Sequence, residues 1–201
     1  MQISIIGAGG HTRSLINILG RHAAFIDGIY DDNLTEGESI GNFHILGPVA
    51  AIPQNHLLII SVGDAMTRYQ LFKTFNNRIF PDNLIHKDAI IEPYVKMGKA
   101  NQILSRVVVN TNASIGDFNI LNTASVIEHE VQIGNNNQIA PGAILCGRAK
   151  LGSHCFVGAG AIVTEKLSIS DSTIIGAGAT VVSSITEPGT YIGIPAKKSA
   201  P

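Results

Sequence analysis

The chain contains no tryptophan, only two cysteines, four tyrosines and seven phenylalanines. A core with so few rings must be filled by aliphatic side chains, and two thiols are too few for a fold stapled by disulfides. Charge is also sparse: Asp, Glu, Lys and Arg make up 14% of the chain and the net charge is −1. That balance lacks the basic surplus that nucleic acid or an anionic membrane surface attracts, so neither is expected as a partner. A membrane-spanning helix needs roughly 18 or more consecutive apolar residues. No run here approaches that length, so no membrane span is expected. The sequence opens at Gln2–Ile6 as an apolar strand with no charged leader, so no signal peptide is expected. Cys146 and Cys155 are unpaired in this reading, which suits a reducing cytoplasm as the location.

What the chain has instead is a strict period. From Ile91 every sixth residue is aliphatic: Met97, Ile103, Val109, Ile115, Leu121, Ile127, Ile133, Ile139, Leu145, Leu151, Val157, Val163, Ile169, Ile175 and Val181. A helix repeats near 3.6 and a flat strand at 2, so neither accounts for six. A fixed hexad predicts a parallel β-helix, each short strand turning a corner and stacking on the coil below. Four residues after each aliphatic lies a second, mostly small series that includes Asn101, Ala113, Asn119, Ser125, Asn137, Ala143, Ala161 and Ala179. One large and one small inward side chain per face fits a packed triangular prism. Three hexads make one coil, so residues 18 apart are neighbours on adjacent rungs, ~4.8 Å apart. Cys146 and Cys155 stand half a coil apart and face different sides. The period does not set the handedness of the coil.

Residues 1–85 read differently, as a small α/β domain ahead of a β-helix domain over 86–201. Strands are expected at Gln2–Ile6, Ala24–Tyr30 and Leu57–Val62, with a fourth at Asn83–His86. Helices are expected at His11–Leu19 and Ala65–Phe75. Alternating strand and helix implies a parallel sheet with ligands at the strand C-termini. The turn Gly7-Ala8-Gly9-Gly10 is only part of a dinucleotide fingerprint, because the third glycine position holds Thr12. Its backbone amides at a helix start suit a phosphate. Asp31 or Asp32, about 20 residues on, suits a ribose or base edge. With Gly63 after the third strand, these ends predict one nucleotide moiety in a Rossmann-like half-fold. The two domains abut, and a cleft between them is the default ligand site.

A strict repeat exposes its outliers. The hexad Ile127–Gln132 keeps its inward pair, Ile127 and Val131, but carries His129 and Glu130 outward. A neutral imidazole can act as general base, and an adjacent carboxylate can hold its tautomer. One coil on from His129 is Gly147, whose amide can serve an oxyanion. Asn122 is a further polar candidate for orienting substrate. His154 lacks an acidic neighbour and reads as structural or exposed; His22, His44 and His56 carry no signal. A metal site is not expected, because three convergent imidazoles or carboxylates are missing and Gln138 stands where a second histidine could have been.

With the hexads, Ala8-Gly9-Gly10-His11, Asp31-Asp32, Leu84-Ile85-His86-Lys87, Asn122-Thr123, Ile127-Glu128-His129-Glu130 and Gly193-Ile194-Pro195-Ala196-Lys197, nearly the whole chain resembles the PglD/NeuD-like sugar acyltransferases. The resemblance implies a Rossmann-like nucleotide-binding domain followed by an all-β left-handed parallel β-helix, assembled as a homotrimer with sites between subunits. It implies acetyl-CoA as co-substrate, no metal, and acetyl transfer to the amino group of a nucleotide-linked 4-amino-4,6-dideoxy sugar. In the sialic acid branch the acceptor would be a hydroxyl. By the same resemblance His129 is the base, Glu130 its partner and Gly147 the oxyanion donor. Gly9, Gly10, His11, Asp31, Asp32 and Gly63 would line the nucleotide site. Gln138, Ala159 and Ala177 would meet coenzyme A, Gln138 replacing a histidine found in close members. A noncatalytic nucleotide-sensing trimer and a dehydrogenase are the competing readings. The His129–Glu130 pair speaks against the first and Thr12 against the second. The nucleotide base stays open between uracil, thymine and guanine.

Overall fold

The computed structural model describes residues 2–33 and 37–199, so the outermost ends of the two expected domains lie outside the described residues. The chain divides into two compact units, Met1–Asp82 and Asn83–Pro201.

The first unit is built on a five-stranded sheet of β1 (Ile3–Ile6), β2 (Ile26–Tyr30), β3 (Ser39–Ile40), β4 (Phe43–Gly47) and β5 (Leu57–Ile60), in the order β3-β4-β2-β1-β5. Strands β4, β2, β1 and β5 run parallel, and β3 is an antiparallel edge. Strand β1 is buried at all four positions, as expected of a central parallel strand covered on both faces. The first helix is shorter than the sequence suggests. Helix α1 (Gly10–Leu15) gives way to tighter 3₁₀ turns at Ile16–Ile18 and Gly20–Phe25, where Ile16, Asn17 and Ile18 favour the helix poorly and Gly20 takes φ +51°. Strand β2 accordingly starts at Ile26 rather than Ala24. Helix α2 (Ala65–Thr74) begins as expected, because the Asp64 carboxylate accepts from the Thr67 N–H at 2.7 Å. That bond holds the Asp64 carboxyl below its ordinary range.

The expected fourth strand of this unit belongs elsewhere. Leu84–Ile85 pairs with Gln102–Ile103 and forms the first rung of the second unit. Its neighbour one coil on, not its place in the chain, decides where it goes.

The second unit is a left-handed parallel β-helix of three walls. The first wall stacks the strands at Ile90, Val108, Val126, Ile144, Ile162 and Thr180; the second, those at Lys96, Ser114, Gln132, Lys150 and Ser168. The third stacks those at Leu84, Gln102, Ile120, Gln138, Phe156 and Thr173, and continues into a hairpin of Gly189–Ile192 with Lys197–Lys198. Pairing along the walls follows the three-hexad register, for example Val109↔Ile127 and Leu121↔Ile139. The inward aliphatic series from Ile103 to Val181 forms one continuous buried core with Ala113, Ala143, Ala161 and Ala179 in its small positions. Both cysteines are free: Cys155 is buried, and Cys146 sits on another corner.

Each corner is turned by one residue near φ +60°, and these too recur every six residues: Tyr94, Ala100, Arg106, Asn112, Phe118, Ala124, Glu130, Asn136, then Gly142 and onward to Gly178. Twelve of them are not glycine. A side chain in this region costs ~1–2 kcal/mol, so stacking must offset a standing strain at every such turn.

Part of that offset comes from asparagine. At the corner between the second and third walls, Asn83, Asn101, Asn119 and Asn137 form a ladder. Each Oδ1 accepts the backbone N–H and, within the ladder, the Nδ2 of the residue one coil on, ending at the Cys155 N–H at 2.7 Å. Asn119 also donates to the Gly134 carbonyl at 3.0 Å and is fully buried. Asn119→Ala removes those bonds and takes from the buried Asn137 the acceptor of its backbone N–H. We expect a loss of about 3–5 kcal/mol, measured by urea denaturation, with a value under about 1 kcal/mol refuting the ladder's role.

Candidate active site

The corner between the first and second walls carries the outlier hexad. His129 Nδ1 lies 3.1 Å from Glu130 Oε2, and both side chains are about half exposed. With Nδ1–H donating to the carboxylate, Nε2 is left as the basic nitrogen. Nε2 faces Gly147: a Cβ built on that glycine would lie 2.6 Å from it. Any side chain at 147 would displace the ring, and among the described residues the Gly147 N–H has no acceptor. Glu128 braces the same corner, its Oε2 accepting from Asn110 Nδ2 at 3.1 Å and from the His129 N–H at 3.4 Å. One residue that drew no notice in the sequence enters here. Arg148 Nε donates to Glu130 Oε2 at 2.9 Å. Its hydrogen bond first, and the imidazole second, hold the Glu130 carboxyl below its ordinary range. Adding 18 to 130 would have found it.

The remaining expected residues are not gathered at this corner. Asn122 lies on the corner between the third and first walls, its Oδ1 accepting from the Thr123 N–H at 2.8 Å. Ala159 and Ala177 lie on that same corner, one and two coils on from Pro141, and Gln138 faces outward on the third wall with a half-buried side chain. Within one chain, the base and the expected coenzyme contacts therefore occupy two edges of the prism, with the first wall between them. His154 lies away from this corner, its Nδ1 3.1 Å from Asn136 Nδ2. The described residues hold no group of three or more His, Cys, Asp or Glu placed to bind a metal ion.

In the first unit, a cavity of about 340 Å³ opens at the strand C-termini, lined by Gly9, Gly10, Arg13, Asp31, Glu38 and Ser39 among others. A smaller one of about 120 Å³ adjoins it, lined by Asp31, Asp32 and Thr67 among others. The Asp31 carboxylate already accepts from the Ala8 N–H at 2.7 Å and the Asn33 N–H at 2.8 Å, and Asp32 accepts from the Val49 N–H at 2.8 Å. Both aspartates thus pin loops as well as line space. His11 and Gly63 line neither cavity. The Gly63 carbonyl accepts from the fully buried Arg68 at 2.8 Å, and burial lowers that guanidinium to about 10. Thr12, which breaks the glycine fingerprint, donates its hydroxyl to the Gly7 carbonyl at 2.7 Å and so ties the turn to its own strand.

His56, silent in the sequence, belongs to a buried polar knot. Ser4 Oγ donates to Asp27 Oδ1 at 2.8 Å and lies 2.9 Å from His56 Nδ1. His56 Nδ1 lies 3.2 Å from Asp27 Oδ2, and Tyr30 Oη donates to Asp27 Oδ2 at 3.0 Å. Burial, then the Asp27 carboxylate holding its proton, push Tyr30 up to about 12 from an ordinary value of 10. The folded state therefore favours neutral Tyr30. That contribution is complete below pH 10 and is lost as pH rises towards 12. We expect stability to fall by about 2 kcal/mol across that window, read by denaturation at each pH, and Tyr30→Phe to remove this part of the dependence.

Comparison with known proteins places this architecture. Residues 2–75 match the family described as PglD N-terminal domain, and residues 130–165 match bacterial transferase hexapeptide (six repeats). The chain thus carries a PglD N-terminal domain and bacterial transferase hexapeptide repeats, and its structural neighbours are sugar N-acetyltransferases. It is similar to PerB from Caulobacter crescentus, crystallised with CoA and GDP-perosamine, at 29% identity and a TM-score of 0.91, covering 100% of this chain and 98% of that one. It is also similar to the acetyltransferase domain of PglB from Neisseria gonorrhoeae, in complex with acetyl coenzyme A, at 27% identity, TM-score 0.85 and 98% coverage of both chains. WeeI from Acinetobacter baumannii shares the fold at 22% identity and a TM-score of 0.89, with 99% of this chain and 100% of that chain covered. A curated relative, an uncharacterised protein of Acanthamoeba polyphaga mimivirus, is 36% identical over 120 residues, 59% of this chain; the match spans about a quarter of that protein (24%).

Proposed function

We propose that the chain moves an acetyl group from acetyl-CoA to the amino group of a nucleotide-linked 4-amino-4,6-dideoxy sugar. The observation that carries this reading is the His129–Glu130 pair with its basic nitrogen against the backbone of Gly147. The two matched domains add to it, as do structural neighbours crystallised with CoA and GDP-perosamine or with acetyl coenzyme A.

The unprotonated amine attacks the thioester carbonyl, and His129 Nε2 takes the proton released as the C–N bond forms. Glu130 stabilises the imidazolium. The Gly147 N–H donates to the oxyanion of the tetrahedral intermediate. The C–S bond then breaks, and the imidazolium returns its proton as the coenzyme thiol departs.

Assembly would bring the two edges of the prism together. Outward on the first wall stand Ile90, Val108, Val126, Ile144 and Ile162; outward on the second stand Lys96, Ser114, Gln132, Lys150 and Ser168. An apolar wall flanked by both half-sites suits a homotrimer with that wall turned to the axis. One copy's His129 corner would then meet a neighbour's corner of Asn122, Ala159 and Ala177. The 340 Å³ cavity would receive the nucleotide, with Gly9, Gly10 and Asp31 at its lip.

His129→Ala should lower turnover about 10²–10⁴-fold while acetyl-CoA still binds; a variant retaining a tenth of the rate would refute the base assignment. In a thermal-shift panel of GDP, UDP and dTDP, a diphosphate present at 100 times its dissociation constant should add about 2.7 kcal/mol. No shift with any of the three would remove the nucleotide from the substrate.

A further inference from the structure

We propose that Arg148 is a positioning residue that sets the protonation of His129 by sharing the Glu130 carboxylate with it, an inference that rests on His129 being the base. One oxygen, Glu130 Oε2, takes the Arg148 Nε–H at 2.9 Å and faces His129 Nδ1 at 3.1 Å. The arrangement is built by the fold. Residues 130 and 148 are one coil apart on the same corner, both near φ +60°, and the Arg148 N–H donates to the His129 carbonyl at 3.0 Å. A carboxylate divided between two donors, and offset by a guanidinium, favours an imidazolium less than an undivided one does. Glu130 therefore orients the ring while the guanidinium shares its charge.

The other charged groups about this corner are few. Glu128 bonds the His129 N–H and Asn110 Nδ2. The Cys146 thiol, raised by burial and then by Glu128 and Glu165, lies beside Gly147. Glu165 and Lys166, one coil beyond Gly147 and Arg148, pair with each other at 3.4 Å. Thr111, one coil below His129, is neutral and donates to the Pro93 carbonyl. Among these groups, Arg148 is the one cation that touches the carboxylate His129 uses.

The test is an NMR pH titration of the His129 imidazole in the full chain, its signal assigned by loss in His129→Ala. Arg148→Gln should raise the midpoint by about 0.5–1 pH unit, and Arg148→Lys, which keeps the charge over Glu130, should restore it towards wild type. In a Glu130→Gln background the same Arg148→Gln change should move the midpoint less than half as far. An unmoved or lowered midpoint in Arg148→Gln overturns the proposal, whatever happens to Tm. An equal shift in both backgrounds also overturns it, because Arg148 would then act on the ring directly. No acetyl donor or acceptor is needed, so failure here is separate from failure of the turnover test on His129→Ala.

Discussion

Everything in the second unit depends on one constraint: each coil must lie in register on the coil before it. Backbone N–H groups reach carbonyls on the next coil along every wall, as Val108 does to Ser125 and Val126 to Ala143. At the corners the bond points the other way, as Ala124 does to Ser105 and Glu130 to Thr111. The corner residues accept an unfavourable φ because these bonds can form only there. A single coil has none of this compensation, so stability is a property of the stack, as in other one-dimensional folds.

The same register arranges the chemistry. A side chain on a corner has its nearest long-range neighbours fixed one coil above and one coil below, with little freedom to drift. It puts Gly147 against the imidazole and Arg148 against the carboxylate in successive positions of one turn. It also makes the walls differ, since outward residues of one wall form a column. The first column is β-branched and the second mostly polar, with no change in the inward pattern. A packed prism thus carries three independent surfaces, and substitutions outside leave the core untouched.

Legibility follows the same division. The hexad count predicts the inward series, and the step from 129 to 147 places a glycine against a histidine from the residue numbers alone. Arg148 and the asparagine ladder obey the same arithmetic. They escape a reading by histidines and by the size of inward residues, because what matters at those positions is the bond an amide or guanidinium makes one coil away. In the first unit no such rule operates. Strand β3 forms the sheet edge with β4 beside it, and there Ser39 and His44 face solvent and blur the apolar pattern. Asp31 reads as a ligand group by its distance from the glycine turn. Its backbone partners, Ala8 and Asn33, come from loop conformation that no periodicity encodes. His56 looks like a loop residue because its partners Ser4 and Asp27 are far away in the chain.

Control of the proposed chemistry follows from the split between two edges of the prism. His129, its carboxylate partner Glu130 and the Gly147 amide are held within one chain by stacking, so their geometry does not depend on assembly. The corner of Asn122, Ala159 and Ala177 is held just as firmly, at the far side of an apolar wall. A rigid prism cannot bend to bring its own edges together. Catalysis on this plan would therefore require a second copy, and the apolar wall proposed to drive association is the one that separates the proposed half-sites. In the proposed trimer, hydrophobic association would do the positioning that a hinge or lid does in more flexible enzymes. On this plan a monomer would keep the proposed base and lack only the surface proposed to present the thioester.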